Sequence, residues 1–236
     1  LFAYWIYVLY ALKIGEDSKE NIISTAFERY HSKYPDITDF NTICELRTCC
    51  FSRREIVTVT RLKEWLLITK YNFTIVFDES LKAIAYWNCL LITKDCYQKL
   101  KLGDIHEDDI KGNYLVNYNT SCEYYIYIAA VCASKKIKSD SVAIILSLSE
   151  HISIVHKSGN LKGICAWAIN ENTKVLLKKM GFTHVENSKE DSMFCLEFND
   201  IDKSLVELKR LRNRMNVMLP NRNIKEYNDL RRKIGI

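Results

Sequence analysis

The amino-acid sequence predicts an α/β (α+β) fold, a mixed β-sheet flanked by helices, with helical extensions at the N- and C-terminal ends. Runs of β-branched and aromatic residues, typical of strands, recur between residues 51 and 200. Helical apolar spacing separates the last three of these runs, and strand–helix–strand steps imply some parallel pairing within the sheet.

Length and composition set the domain organisation. The chain has 236 residues, of which 48% are hydrophobic and 27% charged, as in ordinary globular proteins. We expect a helical extension over residues 1–50, the mixed-sheet domain over 51–200 and a basic helical segment over 201–236. The opening apolar run, Leu1 to Leu12, is shorter than the roughly 20 residues of a membrane span. We therefore predict a packed helix or strand there and no membrane association, with a truncated membrane anchor as the alternative. The cysteines, most of which sit inside apolar runs, predict a cytoplasmic protein.

The first half of the chain is predicted from caps, turns and apolar spacing. Its elements are a helix from Asp17 that Pro35 ends, a helix at 40–49, a strand at 56–59, a helix at 60–67, and a β-hairpin with strands at 73–77 and 81–91. A polar segment follows over 93–119.

The second half alternates strands and helices. We predict a strand at 124–133, a helix at 139–156, a strand at 164–169, a helix at 172–180 capped by Gly181, and a strand at 192–198. Two amphipathic helices follow, at 202–218 and after Pro220, and their apolar stripes are expected to pack on the domain or on a second subunit as a homodimer.

Cysteine and histidine patterns indicate no metal site. The nine cysteines include no CxxC pair and no zinc-like spacing with histidine, so we expect reduced core thiols. The five histidines show no nucleophile or ligand spacing, and surface positions would explain them.

Three segments carry a resemblance to a known superfamily. Asn170 precedes a helix in which Thr173, Leu176, Lys179 and Gly181-Phe182 stand at characteristic spacing. The strand at 127–131 leads into a basic loop and a helix, and the hairpin at 77–87 adds a third match. Together they resemble the N-acetyltransferase superfamily known as GNAT, as a divergent member, over roughly residues 70–198.

The resemblance implies acyl-CoA, in the first place acetyl-CoA, as cofactor. Its pantetheine arm would run along the central strand, and its pyrophosphate would lie at the following loop, where free N–H groups and the helix dipole favour phosphate. Both loop glycines of the family are serines here, and nearby lysines would offset the added Asp140. The implied cofactor-binding residues are Ala129, Ala130, Val131, Lys136, Ile137, Lys138, Ser139, Asp140, Ser141, Asn170 and Leu177.

The resemblance also implies transfer of an acyl group to an amine of a small molecule or a protein. A backbone N–H near Val131 would stabilise the carbonyl oxygen. Leu177 stands where the family places its general acid, a tyrosine. Glu123 and Tyr127 are the candidate catalytic residues for removing the amine proton. The alternative is a catalytically silent module that binds a partner.

The C-terminal segment carries the excess of positive charge. Residues 201–236 hold ten Lys or Arg and four acidic residues, a net charge of +6. One interpretation is a solvated helix surface, which the lack of aromatic residues around 209–214 favours. The other interpretation is a surface patch that binds an acidic partner, such as a nucleic acid, RNA in particular.

Overall fold

The computed structural model describes most of the predicted domain. The described residues are 31–51, 57–118, 122–133, 160–179, 181–186, 192–197 and 224–233, with positions 144, 147, 148, 151, 152, 154–157 and 188. The side chains of residues 50, 172, 176, 179 and 224–227 are not among them. Residues 1–30, loop 134–143 and the helix predicted at 202–218 lie outside.

A seven-stranded sheet organises the chain. The strands are β1 His31–Lys33, β2 Phe73–Phe77, β3 Ala83–Ile92, β4 Tyr124–Ala133, β5 Leu161–Trp167, β6 Thr183–His184 and β7 Met193–Glu197. Their order across the sheet is β1-β2-β3-β4-β5-β7-β6. Strands β4 and β5 pair in parallel, and every other neighbouring pair is antiparallel. This confirms the predicted fold class, a mixed sheet flanked by helices.

Helices cover both faces of this sheet. They are α1 Phe40–Cys50, α2 Val59–Ile68, α3 Lys94–Leu102, α4 between β4 and β5, α5 Glu171–Lys179 and α6 Ile224–Lys233. For α4, the described positions from 144 to 156 are all helical. One-turn 3-10 helices lie between these elements, among them Glu107–Asp109.

Each face of the sheet has its own hydrophobic core. On one side, which we call the α1 face, residues of α1, α2 and α3 pack over Tyr86, Tyr127 and Cys165. On the opposite side, the α4 face, residues of α4, α5 and α6 pack over Trp87 and Ile164. Because apolar side chains alternate between two buried faces, β3 and β4 read as nearly continuous apolar runs.

The strand predicted at 56–59 is wrong for its described residues. Thr58 is the N-cap of α2, its hydroxyl accepting a hydrogen bond from the Arg61 N–H, and Val59 begins the helix. A cap of this kind outweighs the β-propensity of two isolated valines. The helix predicted just after it is confirmed, with Leu62, Trp65 and Leu66 buried.

Two further elements depart from the predictions. His31–Lys33 form the edge strand β1, paired with β2, so the N-terminal extension is not helical there. The polar segment after residue 92 contains α3, whose Thr93 cap and left-handed Gly103 bound an amphipathic helix. Because α3 has few apolar residues, its sequence pattern did not reveal the buried stripe of Cys96, Tyr97 and Leu100.

The expectations for histidine and cysteine hold in part. His151 is fully buried, with its ring nitrogens 3.4 Å from the Tyr34 hydroxyl and 3.1 Å from the Tyr118 hydroxyl, so a surface position is wrong for it. Reduced core thiols are confirmed for Cys89, Cys96, Cys165 and Cys195. Cys132, in contrast, is disulfide-bonded.

Candidate functional site

An opening lies in the middle of the sheet, where β4 and β5 part. Their parallel pairing ends at the rung of Ile128 and Ala166. Beyond it, β5 still pairs with β7 through Trp167, and β4 still pairs with β3 through Ala133. Within the described part of the chain, no strand pairs with β4 on the β5 side past this rung. The backbone of β4 therefore presents an edge inside the sheet.

A β-bulge marks the start of this opening. Asn88 of β3 is paired with Ala130, whereas the next residue, Cys89, is paired with Ile128, so Ala129 is the extra residue of β4. The exposure of β4 changes at the same place: Tyr124 to Tyr127 are buried, and Ile128 to Val131 are half-buried. The small side chains of Ala129 and Ala130 leave the backbone accessible there.

Unpartnered polar groups flank the opening. Asn88 is 1% exposed, and neither its side-chain nitrogen nor its oxygen has a partner among the described residues. Strand alternation places it on the α1 face, beside the bulge. The indole N–H of Trp167, at the end of β5, is likewise buried without a partner there. Buried polar atoms in native folds are rarely left unsatisfied, so these groups fit a site that a ligand completes.

A carboxylic acid approaches the opening from the 3-10 helix Glu107–Asp109. Glu107 is half-buried, and its Oε1 accepts a hydrogen bond from the hydroxyl of Tyr127 on β4. The Tyr127 ring lies 6.3 Å from the Trp167 ring, and the His106 ring lies 5.6 Å from the same indole. Glu107 and Tyr127 thus meet on the α1 face, one rung before the strands part.

The environment of Glu107 shifts its ionisation to neutral pH. Withdrawal from water raises the pKa of Glu107 to about 7, Asp108 raises it as well, and the Tyr127 hydrogen bond and the charge of Arg47 lower it. Arg47 lies on α1, is 4% exposed and donates a hydrogen bond to the Val57 carbonyl. Burial raises the pKa of Tyr127 well above 10, so this residue stays a hydroxyl at neutral pH.

The two predicted catalytic residues lie far apart. Tyr127 lies near the opening, but its side chain is fully buried and its hydroxyl donates a hydrogen bond to Glu107. Glu123 lies before the start of β4, exposed and 3.7 Å from the Lys162 ammonium. Six residues of extended strand, about 20 Å, separate it from Ala129. The position of Glu123 therefore gives no support to its predicted role.

The predicted cofactor residues are distributed unevenly. Ala129, Ala130 and Val131 line the opening. Residues 136–141 lie outside the described residues. Asn170 caps α5, its side-chain oxygen accepting from the Thr173 N–H at 2.9 Å, and Gly181, with φ of 89°, follows the C-terminal end of α5. Leu177 is 5% exposed and packs in the core of the α4 face. It fills a core position and offers no polar group.

Sequence reasoning missed Glu107. It is the first of three consecutive acids in the polar segment, and its contact with Tyr127 spans 20 positions along the chain. No spacing rule connects two such residues. One signal was present: His106 and Asp109 bracket it in a capping pattern, which marks an ordered turn.

The described residues contain neither a candidate metal site nor a candidate membrane span. No group of histidine, cysteine, aspartate or glutamate there could hold a metal ion. Among the same residues, no helix is both long and apolar enough to cross a membrane.

Comparison with known proteins gives only distant likenesses. No family model and no curated protein matches the chain. Among solved structures, the loading GNATL domain of CurA from Lyngbya majuscula is 11% identical, with a TM-score of 0.46 over 71% of this chain and 97% of that one. Arabidopsis thaliana NAA60 in complex with acetyl-CoA is 12% identical, with a TM-score of 0.47 over 72% of this chain and 99% of that one.

A third likeness is of the same kind. An acetyltransferase of the GNAT family from Listeria monocytogenes is 14% identical, with a TM-score of 0.45 over 72% of this chain and 95% of that one. Since these identities are below 25% and the TM-scores below 0.5, the likeness says nothing about what this chain does. Its architecture is given by its own strand order and registers.

Proposed function

We propose that this chain is an acyl-CoA-dependent N-acyltransferase, which transfers an acetyl or other acyl group to an amine. The observation that carries the proposal is the opening between β4 and β5, which exposes the backbone of Ala129 to Val131 inside an otherwise continuous sheet. The resemblance of the sequence to GNAT proteins in the same segments supports it. Acyl-CoA, as the acyl donor, supplies a thioester that an amine can attack.

The residues around the opening suit such a donor. The pantetheine arm of CoA contains amide groups, and an exposed strand edge offers N–H and C=O groups to pair with them, as it would with an added strand. Ala129 and Ala130 leave room for close approach. The buried indole N–H of Trp167 adds a donor at the mouth of the opening. In this proposal the backbone of Ala129 to Val131 binds the arm and orients the acyl group.

Acetyl-CoA binding tests this proposal directly. We expect isothermal calorimetry to detect binding of acetyl-CoA and of free CoA. Replacing Ala129 by Phe places a large side chain beside the opening, on the α1 face, and should weaken binding at least tenfold. Phe at Ala83, a half-buried alanine at the start of β3, is the matched control and should leave the affinity unchanged. Lack of wild-type binding at millimolar acetyl-CoA would refute the proposal.

A catalytically silent binding module is the second candidate. The observation that favours it is Leu177, which packs in the core where the resemblance calls for a proton-donating tyrosine. Thiol release from acetyl-CoA, measured over a panel of amines, distinguishes the two. A chain that binds acetyl-CoA but releases no thiol above the uncatalysed rate is the silent module.

A further inference from the structure

We propose that Glu107 is the proton acceptor of this acyl transfer and that the buried Tyr127 hydroxyl is the positioning group that holds it at the opening. The inference rests on the proposed function and adds to it a residue from outside the motifs that resemble GNAT proteins. Glu107 belongs to a turn between α3 and β4, whereas every motif of the resemblance lies elsewhere in the chain.

Glu107 lies near the opening because of its contact with Tyr127. Its carboxyl is held by Tyr127, which is two residues before the bulge at Ala129 on the same strand. Tyr127 is fully buried, its ring lies 6.3 Å from the Trp167 ring, and its hydroxyl donates a hydrogen bond to one carboxyl oxygen of Glu107. Glu107 as a residue is half-buried, and its carboxyl is largely withdrawn from water beside Tyr127. A base must lie within hydrogen-bond reach of the proton that it removes, and this geometry brings a carboxylate to the opening.

The charges around Glu107 suit a base at neutral pH. The groups that face it are Arg47 from α1, Tyr127 from β4, Tyr86 from β3 and the neighbouring Asp108. Tyr86 is buried and its pKa is raised, so it stays neutral. Arg47 favours the carboxylate, whereas burial and Asp108 disfavour it. The balance leaves the pKa of Glu107 at about 7, where a general base is most effective.

Acyl transfer exchanges the carbon–sulfur bond of the thioester for a carbon–nitrogen bond. A neutral primary amine forms a nitrogen–carbon bond to the acyl carbon, and the nitrogen loses one proton to the Glu107 carboxylate. The carbon–sulfur bond breaks, and its electron pair leaves with sulfur. Glu107 then releases the proton, which reaches sulfur through solvent to give the free thiol. The products are an amide and a thiol, and Glu107 returns to its carboxylate. Leu177 takes no part.

Three preparations test the inference: Glu107→Gln, Tyr127→Phe and, as a matched control, Glu45→Gln on the exposed surface of α1. Acetyl-CoA affinity is measured by calorimetry. The rate of thiol release is measured from pH 5.5 to 9 with methylamine and free amino acids as acceptors. The Glu107 carboxyl is followed by carbon-13 NMR of the resting protein, with Glu107→Gln identifying its signal.

We expect Glu107→Gln to bind acetyl-CoA as the wild type does. Its kcat/KM should fall roughly 100- to 10,000-fold, and its pH–rate profile should lose the acidic limb, the fall in rate toward low pH. The wild-type carboxyl should titrate near pH 7. In Tyr127→Phe, loss of the hydrogen bond should move both the NMR titration and the acidic limb to higher pH, a shift that a merely structural tyrosine would not cause. Glu45→Gln should match the wild type throughout.

Several results would overturn the inference. Full activity in Glu107→Gln would overturn the inference and leave the proposed function intact. An unchanged pH–rate profile in Tyr127→Phe would have the same two consequences. Should Glu107→Gln fail to fold, Tyr127→Phe and the wild-type pH profile still decide. A wild type that binds no acetyl-CoA would instead refute the proposed function, and the role of Glu107 as its proton acceptor with it.

Discussion

At the scale of single residues, the site depends on contacts that bring distant parts of the chain together. Tyr127 could be singled out from the sequence because it lies in an unmistakable strand. Glu107 could not, because a carboxylate in a polar segment has no periodicity to mark it, and its partner is fixed only when β4 and the turn after α3 meet. Asn170 matched a motif and Leu177 departed from it, and their contacts are those of a helix cap and a core side chain.

Glu107 should also make folding stability depend on pH. The pKa of Glu107 rises from an ordinary 4.5 to about 7 in the folded chain. Below pH 4.5 the carboxyl is protonated in both the folded and the unfolded chain and does not lower the free energy of unfolding. As pH rises to 7, the unfolded chain releases this proton before the folded chain does, so folding loses stability, by up to about 3 kcal/mol.

Urea unfolding at pH 5 and pH 8 measures this effect. Glu107→Gln should gain stability relative to the wild type between the two pH values, since glutamine does not titrate. Glu45→Gln serves as the control and should show no such gain. A difference between wild type and Glu107→Gln that stays constant with pH would contradict the expectation.

At the scale of elements, dense apolar patterns were predictable and local exceptions were not. The strand predicted at 124–133 is β4 to the residue, because ten consecutive aromatic, β-branched and small residues permit little else. Its bulge at Ala129 has no sequence mark, because a bulge is set by the pairing of two strands. The strand predicted at 56–59 is wrong because a single side chain, the hydroxyl of Thr58, caps the start of a helix there.

The Thr58 cap can be tested alone. Its hydroxyl accepts from the Arg61 N–H and lies 3.1 Å from Asp108 Oδ1, so it joins α2 to the turn that bears Glu107. Thr58→Ala should lower the free energy of unfolding by about 1 kcal/mol. Thr58→Ser keeps the hydroxyl and should cost much less. Equal losses in the two variants would indicate that the methyl group, and not the cap, is responsible.

At the scale of the whole molecule, the alternation of strands and helices predicted a mixed sheet with some parallel pairing, which β4 and β5 confirm. It left open what the terminal segments pack against. The short helix predicted near the C-terminus is confirmed as α6. Its Leu230 is fully buried in the core of the α4 face, and the Lys233 ammonium lies 4.9 Å from the centroid of the Tyr71 ring. Periodicity alone left open whether this stripe packs on the domain or on a second subunit; Leu230, its described residue, packs on the domain.

Leu230 should therefore contribute to the stability of the entire fold. Leu230→Ala removes a fully buried side chain and should lower the free energy of unfolding by about 2 to 5 kcal/mol in urea. Leu67→Ala, at a position on α2 that is 66% exposed, is the matched control and should change little. A small loss in Leu230→Ala would show that α6 detaches at little cost to the rest of the chain.

The parting of β4 and β5 also bears on aggregation. An unpaired strand edge on the outside of a sheet invites other chains to add strands, and natural proteins guard against this. Here the free edge of Ala129 to Val131 lies between two strands of the same sheet, with β3 bonded behind it and β5 in front. A neighbouring sheet cannot enter a gap that begins at one strand spacing, about 4.8 Å. The edge is thus open to a single slender molecule and closed to another protein's sheet.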